Sequence, residues 1–587
     1  MKKTIYSVLI ALTVLASCKR DYLDVNQNPN QAVTSNATLV ISNALNVTGG
    51  RLNYNQVGAF WAGHWSPPTS VSGFSEERTY NAQASYATAG NLWGSVYDNI
   101  QDYNFVEKDA LSKGQKNLAG IAQVMKAFNY QLLVDAYGNV PYSKSNLGEE
   151  ALTPSYDDAK TIYRDLIPKL DVAIANLTVK IAGDNAPIGQ EDIYFQGDMK
   201  KWVKFANTLK LRILMRESKI TDSQAYITAQ IAAITSNTAI STFLGAGSVF
   251  IGINDGVYCN PGYLKTSGKQ NPFWGFYGFT EADAASTSQQ FYVPSQYFRQ
   301  QAEGAGASAP RDLQRIVRWM TPTGTNSYTF IGVPFGVSST PNNIPNYNYS
   351  AVSHFGQGLL NKFNQPMAVM TASEALFLQA EARQLGLLTS GVSVEALFQD
   401  GVRASFILLK AGVAPIVDLV TGEPIPSPTA PIYTDFQAIP EDLAYDALKE
   451  SFDANAAQAT IAADNYMNYG PSVIGAAGSN VGSVADIVGS TNKLKTIMEQ
   501  KFLCLYGFSG FEAWCDVRKY QSVTTGTSNI LNTPASVNSR GSVNQRPLRL
   551  PYPSIEQQVN NANLIAATAA QGLTGSILDK PIFWDID

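Results

Sequence analysis

Apolar residues recur at steps of three and four in several long stretches of this chain. Between residues 118 and 137, Ile121, Met125, Phe128 and Leu132 fall on one face of a helix. Gly138 then acts as a stop, and Pro141 forbids continuation. Residues 202–216 set Phe205, Leu209 and Ile213 on one face, with Lys204, Lys210 and Arg212 off it. Asp198 just upstream is a fitting N-cap. Residues 373–385 and 493–505 carry the same period, and Trp93 and Tyr97, four apart, are expected to stack as core. From 241 to 366 the pattern changes: Gly, Pro, Asn, Ser and Tyr crowd together, and few helix-length periods survive. Irregular stretches of that length are uncommon unless they carry function. Residues 386–482 mix short helices with Pro-rich loops. The pattern predicts a mostly α-helical scaffold that presents long irregular loops.

The first residues follow a different logic. Lys2 and Lys3 precede an apolar run, Ile5 to Ala16, that is too short to span a bilayer. It ends in Leu15-Ala16-Ser17-Cys18, the form of a bacterial lipobox, so residues 1–17 are read as a signal peptide and Cys18 as the lipidated N-terminus. Each buried lipid methylene contributes about 0.8 kcal/mol, so two or three acyl chains hold firmly. No later segment offers the roughly 20 uninterrupted apolar residues of a spanning helix. The expectation is a protein anchored to a membrane but not crossing it.

Charge and composition narrow the ligands. Residues 1–17 contain two lysines and no acids, so their removal leaves 40 basic against 47 acidic residues. That mild acidity argues against nucleic acid. Charged residues make up 15% of the chain and aromatics 11%, a surface better suited to uncharged polar ligands than to phosphates. Besides Cys18 there are Cys259, Cys504 and Cys515, too few for a disulfide framework. On one continuous helix Cys504 and Cys515 would lie roughly 16 Å apart, so bonding them would need residues 507–510 to fold back. Free, buried thiols are expected.

Several motifs fail on inspection. Asp24-x-Asn26-x-Asn28 opens like an EF-hand loop, but Pro29 stands where glycine is required and Ser35 where a glutamate belongs. The glycine spacing of Gly262 to Gly268 is one residue too long for a phosphate loop, and Gln270 replaces its Ser or Thr. His64 and His354 are the only histidines, which excludes multi-histidine zinc centres. Nothing calls for a metal or cofactor, although calcium on scattered carboxylates is left open. Glycoside hydrolysis needs two carboxylates, and the adjacent pairs Glu76-Glu77 and Asp157-Asp158 more often decorate turns. Glu512 and Arg518 are read as a surface pair of small energetic weight.

Aromatic loops are the better candidates. Trp61 and Trp65 flank Gly63 and His64, and Pro67-Pro68 stiffens the chain beyond. Phe273, Trp274, Phe276 and Tyr277 form the densest aromatic cluster, with Phe279 and Tyr292 nearby. A Trp or Tyr face can lie against sugar C–H groups while amides bond the hydroxyls at the rim. An extended peptide would suit the same groups.

The chain resembles the SusD/RagB family of outer-membrane nutrient-binding lipoproteins, in particular its second large branch. The resemblance rests on pieces that keep their order along the chain. They are Asp24-Val-Asn-Gln-Asn-Pro-Asn30, Trp93-Gly-Ser-Val-Tyr97, Asp135-Ala-Tyr-Gly-Asn-Val-Pro-Tyr142, Gly197-Asp-Met-Lys-Lys-Trp202 and Phe205-Ala-Asn207. Further on come Glu374-Ala-Leu-Phe-Leu-Gln-Ala-Glu-Ala382, Glu499-Gln-Lys-Phe502, Glu512-Ala-Trp514 with Arg518, Arg549-Leu-Pro-Tyr-Pro553 with Glu556 and Asn560, and Phe583-Trp584-Asp585. The resemblance implies a tetratricopeptide-like helix-pair scaffold whose loops carry the ligand site. It also implies a SusC-like TonB-dependent transporter as partner and an oligosaccharide or peptide as cargo. Family export signals place acids directly after the lipid cysteine, whereas here Lys19 and Arg20 precede Asp21 and Asp24.

The organisation expected is one SusD-like domain over 18–587. Within it, 18–45 is the tether and N-terminal segment, 46–240 the helical scaffold, 241–366 the ligand region and 367–587 a C-terminal helical and loop region. The expected function is non-catalytic capture of an oligosaccharide at an outer membrane, outward-facing. Peptide capture, a surface glycoside hydrolase and a ligand-free structural lid are the alternatives.

Overall fold

A computed structural model describes residues 35–81, 91–303, 313–323, 329–338, 347–411, 490–521, 546–575 and 577–586, with 487, 530–531, 533 and 536–538. Cys18, the Asp24 motif and most of 386–482 lie outside the described residues.

The helices are α1 (Ala37–Gly49), α2 (Leu52–Trp61), α3 (Asn91–Ser112), α4 (Lys116–Tyr137), α5 (Ala159–Leu177) and α6 (Met199–Arg216). Beyond them come α7 (Gln224–Thr235), α8 (Thr238–Leu244), α9 (Pro272–Tyr277), α10 (Gln296–Glu303) and α11 (Leu313–Trp319). The C-terminal set is α12 (Ala372–Gln384), α13 (Val394–Leu409), α14 (Lys493–Leu505), α15 (Gly510–Tyr520), α16 (Ser554–Val559) and α17 (Asn561–Ala570). Helices adjacent in sequence pack as pairs, α3 with α4, α4 with α5 and α12 with α13, in keeping with a tetratricopeptide-like scaffold. Strands are two to four residues long. β1 (Trp65–Ser66) pairs with β5 (Val293–Pro294), β2 (Val140–Pro141) with β3 (Tyr156–Asp157), and β4 (Val257–Cys259) with β6 (Met367–Met370), all antiparallel.

Local chemistry explains the boundaries. Asp198 accepts hydrogen bonds from the backbone of Lys200 and Lys201, capping α6. Gly138, at φ 82°, ends α4 in a conformation costly for any other residue. Trp93 and Tyr97 meet at 5.1 Å on α3, as their spacing predicts. Gly507, at φ 77°, turns the chain between α14 and α15, so Cys504 and Cys515 lie on separate helices, buried thiols like Cys259. α2 crosses α15 so closely that a Cβ on Gly58 would lie 2.4 Å from the Gly510 backbone.

The helix interiors are less apolar than their periodicity implies. Lys210 and Arg212 are buried, although they sit off the apolar stripe of α6. Arg212 donates to Glu374 Oε1 at 3.1 Å, and Arg216 donates to Glu512 and lies 3.4 Å from Asp135 Oδ2. Lys501 reaches Asp516 Oδ2 at 3.0 Å, and Lys519 pairs with Glu381. These groups, from α4, α6, α12, α14 and α15, form one buried ionic spine. The surface pair expected of Glu512 and Arg518 is thus corrected. Both are buried; Glu512 belongs to the spine, and Arg518 donates to the Leu548 carbonyl at 2.5 Å while lying over Trp514 and Trp584.

Candidate functional site

The pairing of β1 with β5 draws three loop systems together. Ser295 N donates to the His64 carbonyl at 2.9 Å, and Val333 N to the Pro294 carbonyl at 3.0 Å. Thr69 N donates to the Tyr347 carbonyl at 3.0 Å, so the loop after β1 is tied to the loop before Phe355. Two aromatic clusters distant in sequence therefore meet. The Trp65 ring lies 5.1 Å from Tyr277 and 5.8 Å from Tyr292, and Phe273 lies 4.7 Å from Tyr277. Trp61 points elsewhere, to Trp514 at 5.2 Å.

These rings are more enclosed than a loop reading implies. Trp61, Trp65, Phe273, Trp274, Tyr277 and Tyr292 are all buried, Trp65 and Tyr277 at 0% exposure and Trp274 at 5%. The physical reason is that aromatic rings bury large areas and here find one another edge-on. Of the seven aromatics singled out, Phe276 alone stays half-buried.

Around Phe276 the structure adds Phe74 and Phe291, which the aromatic clusters of the sequence do not include; both, like Phe279, are half-buried. Phe74 lies 5.5 Å from Tyr292 and 6.2 Å from Phe291, and Phe276 lies 6.0 Å from Tyr292. Three partly exposed rings thus share one buried tyrosine as their floor. Phe74 adopts φ 64°, a left-handed conformation disfavoured for a bulky residue by about 1–2 kcal/mol. Strain of this kind persists only where its surroundings enforce it. The enforcing group is Arg78, whose guanidinium donates to the carbonyls of Pro68 at 2.9 Å, Val71 at 3.0 Å and Gly73 at 2.8 Å. Burial lowers the Arg78 pKa, and nearby Glu77 opposes that shift. Burial, then Glu77, pushes the Tyr292 hydroxyl up, which keeps it a neutral donor. Ser288, Gln289 and Gln290 directly precede Phe291 in the chain, the first two half-buried and Gln290 exposed. An aromatic residue within the polar run Ser72-Gly73-Phe74-Ser75 was the available signal for Phe74.

The other candidate chemistry has structural uses. Asp157 accepts from the Tyr142 and Ser143 backbones at 3.0 and 2.8 Å, and Asp158 caps α5. Among the described residues no group of three or more His, Cys, Asp or Glu side chains is placed to hold a metal ion. No described helix is long and apolar enough to cross a membrane. A cleft lined by Arg51, Asn55, Gln131, Arg212 and Glu512 encloses about 30 Å³, room for a water or two but not for a sugar ring.

Comparison with known proteins fits this architecture. The profile of the SusD-like_2 family, described as starch-binding and associating with the outer membrane, matches residues 26–415. The chain belongs to this family. SusD-like structures share its fold across nearly their whole length. A chitin-binding protein is 22% identical with a TM-score of 0.62, over 94% of this chain and 99% of that one. A SusD-like protein from Bacteroides thetaiotaomicron is 21% identical with a TM-score of 0.62 and the same coverage. A chitin-binding SusD homolog from Flavobacterium johnsoniae is 18% identical with a TM-score of 0.59, over 93% and 97%. At these identities the likeness shows the fold. No curated protein matches the sequence at a significant level.

Proposed function

We propose that this SusD-like protein is a non-catalytic capture protein that binds an oligosaccharide across the half-exposed rings of Phe74, Phe276 and Phe291. Cys18 anchors it to the outer membrane facing outward, and a SusC-like TonB-dependent transporter receives the cargo. The observation that carries the reading is the half-buried Phe74, held in a strained backbone conformation with its ring edge-on to the buried Tyr292. Phenyl faces suit sugar C–H groups, and the neighbouring Gln289 and Gln290 suit the hydroxyls. Trp65, Phe273 and Tyr277 act from behind, as the packed support that fixes Phe276 and Tyr292, while Trp274 packs on Phe279. Two structural relatives named as chitin-binding make chito-oligosaccharides the first series to try.

The test is calorimetric titration of the soluble chain starting after Cys18 with chito- and malto-oligosaccharides and with peptides. Saturable binding of one glycan series that Phe74→Ala abolishes supports capture at this face. Binding of peptides alone transfers the reading to peptide capture. An absence of binding at millimolar concentration favours a ligand-free lid.

A further inference from the structure

Among the described residues the ionic spine joins five carboxylates, Asp135, Glu374, Glu381, Glu512 and Asp516, to four cations, Arg212, Arg216, Lys501 and Lys519. Each of these side chains is buried. Arg518 donates instead to the Leu548 carbonyl at 2.5 Å and to Cys515 Sγ at 3.0 Å. Four of the carboxylates meet two or more partners. Glu512 has Arg212 and Arg216, and Asp516 has Arg216 and Lys501. Glu381 has Lys501, Lys519 and Tyr520, and Asp135 has Arg216, Tyr163 and Trp584. Glu374 pairs with Arg212 alone: its Oε1 accepts from Nη1 at 3.1 Å, and its enclosed Oε2 has no hydrogen-bond partner. The same Nη1 lies 3.6 Å from Glu512 Oε1, so two carboxyl groups lean on one guanidinium nitrogen.

Where two carboxyl groups face one cation away from water, the second negative charge is costly and one group keeps its proton. We infer that Glu374 and Glu512 hold one proton between them across Arg212, carried on Glu374 at neutral pH, so that the junction of α6, α12 and α15 is a clamp that loosens as pH rises. Burial raises the Glu374 carboxyl from 4.5 to about 7 against the pull of Arg212, and Glu512 adds to the rise. Burial opposes ionisation of Glu512 too, but Arg212, Arg216 and Lys501 together draw it down. Lys501, from α14, is the second cation facing Glu374, and Asp516 engages it at 3.0 Å. α13 also packs on α12, but its Glu395, Asp400 and Arg403 are partly exposed and pair with Lys493 or with each other. The N-terminus of α12 favours the Glu374 anion, an effect small beside enclosure. The cleft lined by Arg212 and Glu512 has room for a water beside the pair, a carrier for the proton. The folded chain thus keeps a proton that the unfolded chain releases above about pH 4.5, and the stability this confers is lost as pH rises through about 7.

Infrared difference spectra of the soluble chain between about pH 6 and pH 9 test this. The expected result is a C=O band of a protonated carboxyl at pH 6 that fades by pH 9 and shifts when glutamate is labelled with carbon-13. Glu374→Gln should lack the band. Glu512→Gln should keep it but make it fade about one pH unit or more lower, because the competing charge is gone. Glu499, half-buried and 3.7 Å from Lys495, is another glutamate whose carboxyl burial raises, so Glu499→Gln is the control that should leave the band unchanged. The parent's melting temperature should also fall relative to that of Glu374→Gln as pH rises from about 5 to 8. No protonated-carboxyl band at pH 6, a band that labelled glutamate does not shift, or one that Glu499→Gln removes overturns the shared proton. Parallel melting curves for the parent and Glu374→Gln overturn it as well. Should Glu374→Gln fail to fold, the parent's isotope shift, its survival in Glu499→Gln and the displaced fade in Glu512→Gln decide the question.

Discussion

The Phe74 ring meets Tyr292 edge-on at 5.5 Å while its own backbone stands at φ 64°. These two facts separate binding from stability at one position. Phe74→Gly should relieve about 1–2 kcal/mol of backbone strain, roughly offsetting the half-buried ring it removes. The expected outcome is a melting temperature within a few degrees of the parent and oligosaccharide affinity lowered about tenfold or more. Calorimetry beside thermal unfolding checks both. Unchanged affinity would remove Phe74 from the site.

Trp65 and Trp274 should behave in the opposite way. Both are enclosed, so Trp65→Ala and Trp274→Ala leave cavities and should cost about 3–5 kcal/mol each. Phe276→Ala, at a half-buried position, should cost less. Urea midpoints for the three variants test the ranking. If Trp274→Ala unfolds at the parent's midpoint, that ring is not the structural support its burial indicates.

How far the chain could be read from its sequence depended on the kind of interaction. Helices α4, α6, α12 and α14 were legible because an apolar stripe leaves a 3.6-residue period and caps leave local signatures. The convergence of Trp65 with Phe273 and Tyr292 was not, because a two-residue pairing between β1 and β5 across more than two hundred residues leaves no period. Exposure was misjudged for the same aromatics: a ring-rich loop signals rings, and only the assembled neighbours decide which faces stay open. The Gly58–Gly510 contact and the burial of Arg212 also depend on tertiary neighbours that no spacing encodes.

The ionic spine makes a sharper energetic claim than surface pairs do. Arg216→Met would leave Glu512 and Asp135 buried with a main counter-charge gone, and should cost about 3–5 kcal/mol. Lys113→Ala removes a half-exposed partner of Asp109 and should change stability by about 0.5 kcal/mol or less. Chemical denaturation of both variants measures the contrast. Equal effects would mean that the spine is solvated in solution.

His64 gives the molecule an acid-sensitive element. The ring is 0% exposed, its Nε2–H donates to the Phe502 carbonyl at 2.9 Å, and Phe298, Phe502 and Tyr506 surround it at 4.3–5.6 Å. Burial lowers its pKa from 6.5 to about 3, against the smaller opposing effect of the Phe502 carbonyl. Between those values the unfolded chain binds a proton that the folded chain does not. Stability is therefore fully present above about pH 6.5 and falls as pH drops, by about 1.4 kcal/mol per unit from this group. His64→Gln keeps a donor for Phe502 and does not titrate, so it should start less stable but lose less between pH 7 and 5. The buried carboxyls of Asp135 and Asp516 and the imidazole of His354 titrate in both proteins, so the difference between the two curves isolates His64. Melting temperatures at half-unit steps would show converging curves; parallel ones would mean that the imidazole reaches water in the folded state.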